Sequence, residues 1–377
     1  MTTIDTAAAP IEGLLPERFA GVRAAFARNF AERDDIGASF AAFVDGEPLI
    51  DIWGGWQDIE RTRPWARDTI VTTYSSTKTA LALCALWLAD GHGLDLDAPV
   101  RRYWPEFAAA EVTTRQCLAH TAGLPGWDEP ISQWDIFDYD KCVGLLANQQ
   151  PWWKPGTEWH YHAITEGFLV GEVIRRIDGR TMGQVLDQEF ARPLGADYHV
   201  GTGPQFDDRV APIYPSPPTE PPPPGSIEAR TVANPVFTLN IGMEIGWRRC
   251  EIPAGNGFGN ARALAQLMSV LACKGEVGGR RYLSAEGALR AAEESWRGGD
   301  PSIGGVESAW GVGFALNLGP LKFGDGLSCF WGGAGGSLVV VDFDRRLAFA
   351  YVMNKLKGAP FGDPRNMSLV KALYAAL

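Results

Sequence analysis

Near the N-terminus, apolar residues follow first a helical spacing and then a strand-like spacing. Residues 15–33 carry apolar side chains every three or four positions among Arg and Glu, which predicts an amphipathic helix. Residues 37–44 and 49–53 are rich in aromatic and β-branched residues and are separated by Asp45-Gly46, so they predict a β-hairpin. Residues 1–14 show no regular pattern, and we expect them to form a loose tail.

The most continuous apolar helical pattern extends from residue 80 to residue 89 and consists mainly of Ala and Leu. Because it is apolar on every side, it predicts a buried helix, which Gly91 and Gly93 end. Residues 212–224 contain eight prolines and predict a surface loop in extended polyproline form. Other helices are predicted at residues 112–118, 168–178, 181–190 and 261–273.

Strand patterns return near the C-terminus. Residues 311–316 and 328–331 are strand-like, and residues 338–343 and 347–353 predict a hairpin of two core strands. Residues 363–377 predict a closing helix.

These patterns predict an α+β fold, an antiparallel sheet flanked by helices. We expect residues 1–100 and 305–377 to form one sheet domain, with residues 101–304 inserted as a mainly helical domain. The length of 377 residues fits one large domain or two intimate ones.

Composition narrows the class of protein. Hydrophobic residues make up 46% of the chain, enough for a sizeable core, and the net charge is −11. That charge argues against nucleic acid or an anionic membrane as a partner. The N-terminus has no secretory signal pattern, no segment is long and apolar enough to span a bilayer, and the six cysteines are scattered. We therefore expect a cytoplasmic protein with reduced thiols, and no metal or other cofactor.

Candidate chemistry begins just before the apolar helix, at Tyr74-Ser-Ser-Thr-Lys78. Ser75 is expected at the helix N-terminus, beside unpaired backbone N–H groups and the positive end of the helix dipole. Lys78 lies one helical turn further on, within reach of the Ser75 hydroxyl. Burial lowers the pKa of a lysine, and a partly neutral Lys78 can take the Ser75 proton so that the oxygen attacks a carbonyl.

The same spacing occurs a second time, at Ser368-Leu-Val-Lys371. This copy lies inside the predicted C-terminal helix, which we interpret as a structural element that closes the fold. A Ser-x-x-Lys pair is by itself a weak motif, so the surrounding sequence has to distinguish the two copies.

Two further stretches supply what acyl transfer needs besides a nucleophile. Tyr161 follows Pro155-Gly-Thr in a loop just before a helix, and Trp331-Gly-Gly-Ala-Gly-Gly336 is a glycine-dense strand that lets a backbone approach a ligand closely. Acyl transfer requires a nucleophile, a base and two N–H groups that face the oxyanion. Ser75, Tyr161 with Lys78, and this strand provide such a set.

With these stretches in view, most of the chain resembles the family VIII carboxylesterases, which are similar to class C β-lactamases and penicillin-binding proteins. The resemblance implies a β-lactamase-like fold and hydrolysis of small-molecule acyl esters, of short to medium chain length, through an acyl-enzyme. It rests on Ser75-Ser-Thr-Lys78, His120-Thr-Ala-Gly-Leu-Pro125, Pro155-Gly-Thr with Tyr161, Asn256-Gly-Phe-Gly-Asn-Ala-Arg262 and Trp331-Gly-Gly333, in that order.

The resemblance also implies roles for individual residues. Ser75 is the nucleophile, Lys78 and Tyr161 are the shared base, and the backbone N–H groups of Ser75 and Ala334 form the oxyanion hole. The strand from Trp331 through Gly332 and Gly333 contacts the substrate. We also expect a cationic Lys78 to favour the phenolate form of Tyr161.

Two departures from the β-lactamase pattern favour esters over lactams. Where those enzymes carry Tyr-x-Asn, this chain has Tyr161-His-Ala163, and Ala163 offers no side-chain hydrogen bond to a substrate amide. Where their strand begins Lys-Thr-Gly, this chain has Trp331, which carries no charge for a lactam carboxylate.

Several alternatives remain open at this point. A β-lactamase, a D-amino-acid peptidase and an acyltransferase use the same kind of acyl-enzyme, and a non-catalytic binding protein is a further class. A Ser-His-Asp triad is disfavoured, because the chain contains no Gly-x-Ser-x-Gly motif.

Overall fold

The computed structural model describes residues 9–214, 220–236, 238–301, 305–318, 321–357 and 362–377. Its α-helices are α1 Ala20–Glu32, α2 Thr77–Ala89, α3 Thr114–Leu118, α4 Tyr139–Asn148, α5 Thr165–Asp178, α6 Met182–Val185, α7 Arg192–Leu194, α8 Ile227–Val232, α9 Ile245–Arg249, α10 Ala261–Ala272, α11 Ala285–Leu289 and α12 Pro364–Tyr374. Its strands are β1 Ile11–Leu14, β2 Gly37–Val44, β3 Glu47–Gly55, β4 Val71–Thr72, β5 His199–Val200, β6 Gly257–Gly259, β7 Glu276–Val277, β8 Arg280–Arg281, β9 Trp296–Asp300, β10 Val306–Trp310, β11 Ala315–Leu316, β12 Ser328–Gly333, β13 Ser337–Asp342 and β14 Leu347–Met353.

Within these ranges, nine strands form one sheet in the order β1-β3-β2-β14-β13-β12-β11-β10-β9. Every neighbouring pair is antiparallel. The N-terminal and C-terminal parts of the chain meet in this sheet, where β2 pairs with β14. Helix α10 packs on β2, β13 and β14, and α2 packs against both α10 and α5. The predicted α+β fold, with an antiparallel sheet and flanking helices, is confirmed.

The apolar helix predicted at 80–89 is α2, which begins three residues earlier at Thr77. All its residues from Thr77 to Leu88 are buried, because α5 covers one side and α10 another. The predicted helices at 15–33, 112–118, 168–178, 261–273 and 363–377 correspond to α1, α3, α5, α10 and α12, and the hairpins are β2–β3 and β13–β14.

Two predictions of local structure are wrong. Residues 11–14 are not a loose tail: they form β1, where Gly13 lies so close to β3 that a Cβ atom there would be 2.0 Å from the Asp51 carbonyl oxygen. Residues 311–316 are mostly a turn, since Gly313 has a left-handed φ of 80°, and only Ala315–Leu316 is a strand. The helix predicted at 181–190 is confirmed: it begins as α6 and continues as a π-helix over Leu186–Ala191.

The proline-rich segment lies partly outside the described residues, at 215–219. The division of the chain into a sheet domain and an inserted helical domain stays a prediction. Two elements from within residues 101–304 are associated with the large sheet. Strand β9 is one of its strands, and α10 packs on it. In the described part of the chain, we find no helix with the length and apolar character to cross a bilayer.

Candidate active site

Ser75 lies in a short 3-10 turn, Tyr74–Ser76, directly before α2. The preceding residue, Tyr74, has a left-handed φ of 46°, a conformation that costs free energy in a non-glycine residue. Its hydroxyl donates to the Leu239 carbonyl at 2.6 Å, and its ring lies 6.0 Å from that of Trp247. These contacts hold the turn that leaves Ser75 partly exposed at the start of a buried helix.

Lys78 is buried one helical turn below Ser75, with 1% of its side chain exposed. Its Nζ donates to the carbonyl oxygens of Ala163 at 2.7 Å and Ala254 at 2.9 Å. Burial lowers the pKa of the Lys78 ammonium, and the carboxyl of Glu166 opposes that shift. The predicted lowering of the lysine pKa is therefore present, and its main cause is burial.

Tyr161 comes from the loop before α5, and its ring centroid lies 5.1 Å from Lys78 Nζ. The Ser75 hydroxyl and the Trp331 indole lie near enough to favour its anion, although the Tyr161 hydroxyl makes no hydrogen bond of regular geometry among the described residues. Burial nevertheless raises the pKa of Tyr161 above its usual range. The expected phenolate is therefore wrong: burial disfavours the anion more than its neighbours favour it, and the neutral hydroxyl is the form held at neutral pH.

The glycine-dense strand passes directly beside the Ser75 turn. A Cβ atom on Gly333 would lie 2.3 Å from the Thr73 carbonyl oxygen and 3.1 Å from the Ser76 nitrogen, so only glycine permits this approach. The Ser337 hydroxyl ties the two segments together, at 3.2 Å from the Thr73 carbonyl oxygen and 2.9 Å from Ser76 Oγ. The strand ends at Gly333, and Ala334 begins the turn that follows.

Helix α12 holds that turn from behind. Arg365 donates to the Gly335 carbonyl at 2.5 Å, and Asn366 donates to the Gly336 carbonyl at 2.9 Å. Arg365 is itself buried between the carboxylates of Asp35 and Asp363. No pattern in the sequence predicted this support.

A buried carboxyl group, Glu166 on α5, also lies at the site and was missed. Its Oε2 is 3.8 Å from Lys78 Nζ and 3.8 Å from His120 Nε2. Burial raises the pKa of Glu166, lowers that of His120 well below its usual value and lowers that of His162 to about 3. Both histidines are therefore neutral at neutral pH.

An open cavity of about 680 Å³ borders Tyr161. Its walls include Ala163, the prolines at 221–223 and the outer side of α8. Besides Tyr161, its titratable lining residues are His160, Glu220 and Glu228, and it includes no Lys or Arg among the residues described. His160 binds Glu228 at 2.6 Å, which fixes α8 beside the site.

The sequence-predicted residues thus converge: Ser75, Lys78, Tyr161 and the strand from Trp331 to Gly333 line one region. The Trp331 ring lies 5.5 Å from that of Tyr161 and packs edge-on against Trp310. In the described parts of the chain, no group of His, Cys, Asp and Glu is arranged to hold a metal ion.

Comparison with known proteins agrees with this arrangement. The β-lactamase family model matches residues 26–374. The esterase/β-lactamase LipL of Mycobacterium tuberculosis is 34% identical over 298 residues, which cover 73% of this chain and 67% of that protein. A crystal structure of a family VIII carboxylesterase matches with a TM-score of 0.91 and 37% identity, over 98% of this chain and 100% of the other.

A penicillin-binding protein homologue from Caulobacter crescentus matches with a TM-score of 0.88 and 38% identity, over 98% and 100% of the two chains. The chain therefore belongs to the β-lactamase family, and its esterase relatives support a serine ester hydrolase on that scaffold.

Proposed function

We propose that the protein is a carboxylesterase that hydrolyses short- to medium-chain acyl esters through an acyl-enzyme on Ser75. Lys78 takes the Ser75 proton, and the Ser75 oxygen attacks the ester carbonyl. The backbone N–H groups of Ser75 and Ala334 stabilise the oxyanion, and the close approach of Gly333 to Thr73 and Ser76 supports this role because it brings the two segments together. Water then hydrolyses the acyl-enzyme by the same steps in reverse order.

Tyr161 acts in this scheme as a protonated, neutral phenol. Since burial disfavours its phenolate, the neutral hydroxyl beside Ser75 donates a proton to the leaving alkoxide and recovers one from Lys78. Lys78 and Tyr161 thus work as one proton-handling unit, in which the lysine accepts and the tyrosine delivers. Trp331, Gly332 and Gly333 form the wall against which the substrate carbonyl lies.

The charge of the cavity is the observation that carries the preference for esters. Its lining has two carboxyl groups, from Glu220 and Glu228, and the imidazole of His160 there is already bound to Glu228. A β-lactam brings a carboxylate that this lining repels, and Trp331 and Ala163 supply neither a cation nor an amide. A missing charge-assisted hydrogen bond costs about 1.5–3 kcal/mol, or one to two decades in rate.

The test compares kcat/KM for a short-chain p-nitrophenyl ester with that for a chromogenic cephalosporin. We expect the ester to be preferred by roughly a hundredfold or more, because the two missing contacts each cost about a decade. Equal or faster hydrolysis of the cephalosporin identifies the protein as a β-lactamase. A chain without turnover above buffer on either substrate is a binding protein.

We further infer a reducing, cytoplasmic location. All six cysteines are unpaired thiols, and five of them are buried. Paired cysteines are the usual state in oxidising compartments, so the free thiols support this inference. Fractionation of the cells that produce the protein tests it.

A further inference from the structure

The carboxyl group of Glu166 is enclosed in the protein without a hydrogen-bond donor. None of its side chain is exposed, and both oxygens lack a hydrogen-bond partner among the described residues. A buried ionised carboxylate is costly unless it is paired. An unsatisfied carboxyl group beside the candidate base is therefore a feature that calls for a chemical role.

Lys78 is the group that can share charge with Glu166. The other titratable groups around this carboxyl are His120, Cys117 and Tyr161, and burial keeps all three uncharged. On the side of α4, Tyr139 faces Gly171 and Glu172 on the later turns of α5. His162, which lies behind His120, is also neutral.

The hydrogen bonds of Lys78 fit a neutral amine as well as an ammonium. An ammonium has three N–H groups, whereas an amine has two and a lone pair. Nζ has two carbonyl acceptors, Ala163 and Ala254. With both N–H groups used, the lone pair of the amine remains free to accept the Ser75 proton.

We propose that Glu166 and Lys78 share one proton, so that Glu166 controls when the lysine is free to act as a base. In one form the proton is on Nζ and Glu166 is a carboxylate; in the other it is on Oε2 and Lys78 is an amine. The transfer moves one proton between two atoms now 3.8 Å apart and leaves the net charge of the pair at zero. Glu166 is a positioning residue in this scheme, which rests on the proposed ester hydrolysis.

The carboxylate form of Glu166 stabilises the Lys78 ammonium and so delays loss of the lysine proton to higher pH. When the amine later takes the Ser75 proton, the pair gains one positive charge, which balances the oxyanion. Removing the Glu166 charge therefore has a definite sign: Lys78 becomes neutral at lower pH, and the enzyme becomes active at lower pH.

The experiment measures kcat/KM for a p-nitrophenyl ester against pH in wild type and Glu166→Gln. We expect the acid limb of the profile to move to lower pH by about one unit or more, the usual effect of an opposite charge within a few ångström. The matched control is Glu172→Gln, on the same helix and equally buried, whose carboxylate pairs with Arg175 and Arg176. That change lowers stability but leaves the acid limb in place.

If Glu166→Gln does not fold, the same pH profile is measured on Glu166→Met, because Met fills a similar volume without charge. An acid limb that stays in place in the folded variants, or moves to higher pH, overturns the proposal. The underlying ester hydrolysis is judged separately, because it fails only if wild type does not turn over the ester or Ser75→Ala still does.

Discussion

The chain contains two Ser-x-x-Lys segments of identical spacing, and they lie in very different surroundings. Ser75 occupies a 3-10 turn before α2, and Lys78 points into the protein with two carbonyl oxygens and Glu166 around its Nζ. Ser368 lies within α12, and Lys371 is exposed. The spacing is the same, so the chemistry has to come from what surrounds it.

The two serine hydroxyls show this most directly. Ser368 Oγ donates to the Arg365 carbonyl one turn earlier, at 3.0 Å, and accepts from Arg33 at 3.3 Å. Both bonds tie it to the structure. Ser75 is instead partly exposed in the turn before α2, and Tyr161, which borders the open cavity, lies beside it. A hydroxyl bonded to a helix carbonyl is a structural group, whereas a partly exposed one outside the regular helix is accessible to a substrate.

The two lysines differ in the same way. Lys371 is exposed to solvent on α12, whereas Lys78 is buried at the start of α2. Burial makes the uncharged form of Lys78 accessible near neutral pH. A Ser-x-x-Lys motif therefore indicates catalysis only where the fold buries the lysine and opens the serine.

The largest expected effect is the loss of ester hydrolysis when Ser75, and not Ser368, is replaced. Ser75→Ala should lower ester hydrolysis by roughly a thousandfold or more, as nucleophile removal does in serine hydrolases, and should abolish labelling by a phosphonate probe. Ser368→Ala should change neither. Mass spectrometry of the labelled protein locates the probe. Labelling on Ser368 would mean that Ser368, and not Ser75, is the reactive serine.

The next largest expected effect is on kcat, when Tyr161 or Lys78 is replaced. Tyr161→Phe and Lys78→Met should each lower kcat by about 100- to 10,000-fold with little change in KM, the usual contribution of general acid–base catalysis. The double variant should be far from additive, because the two groups act as a unit. Lys371→Met is the matched control and should keep wild-type kinetics. Additive losses would show that Lys78 and Tyr161 act independently.

Much of the fold could be predicted because its periodicity is strong. Residues 37–53 carry alternating apolar positions and a tight turn, and α2 is apolar on every side. Strand β9 could not be predicted this way, because it contains Gly298 and Gly299 and pairs with β10 through its backbone. Glycine lowers strand propensity, so such a strand forms only once its partner is in place.

In the candidate site, the sequence pattern indicated Ser75, Lys78 and Tyr161 but not the groups that surround them. Glu166 had a signal that was overlooked: it shares the buried face of α5 with Leu169, Val170 and Val173, where a lone carboxyl group is unusual. Arg365 had none, because its partner Asp35 is 330 residues away in the chain.

The smallest expected effect is on stability and concerns Ser368. Its two hydrogen bonds each contribute about 0.5–1.5 kcal/mol to the free energy of unfolding. Alanine regains a few tenths of a kcal/mol, roughly, through its higher helix propensity. Arg33 also keeps its bond to Asn29 Oδ1 at 2.9 Å, so it is not left without an acceptor.

Ser368→Ala should therefore lower the free energy of unfolding by about 1–2 kcal/mol, measured by urea titration with an unchanged m value. Ser75 is partly exposed, so Ser75→Ala should leave the free energy of unfolding within about 0.5 kcal/mol of wild type. The two variants then have opposite profiles, one losing activity without stability and the other losing a little stability without activity. A large loss of stability in Ser75→Ala would mean that its hydroxyl also supports the turn, and that its loss of activity is partly structural.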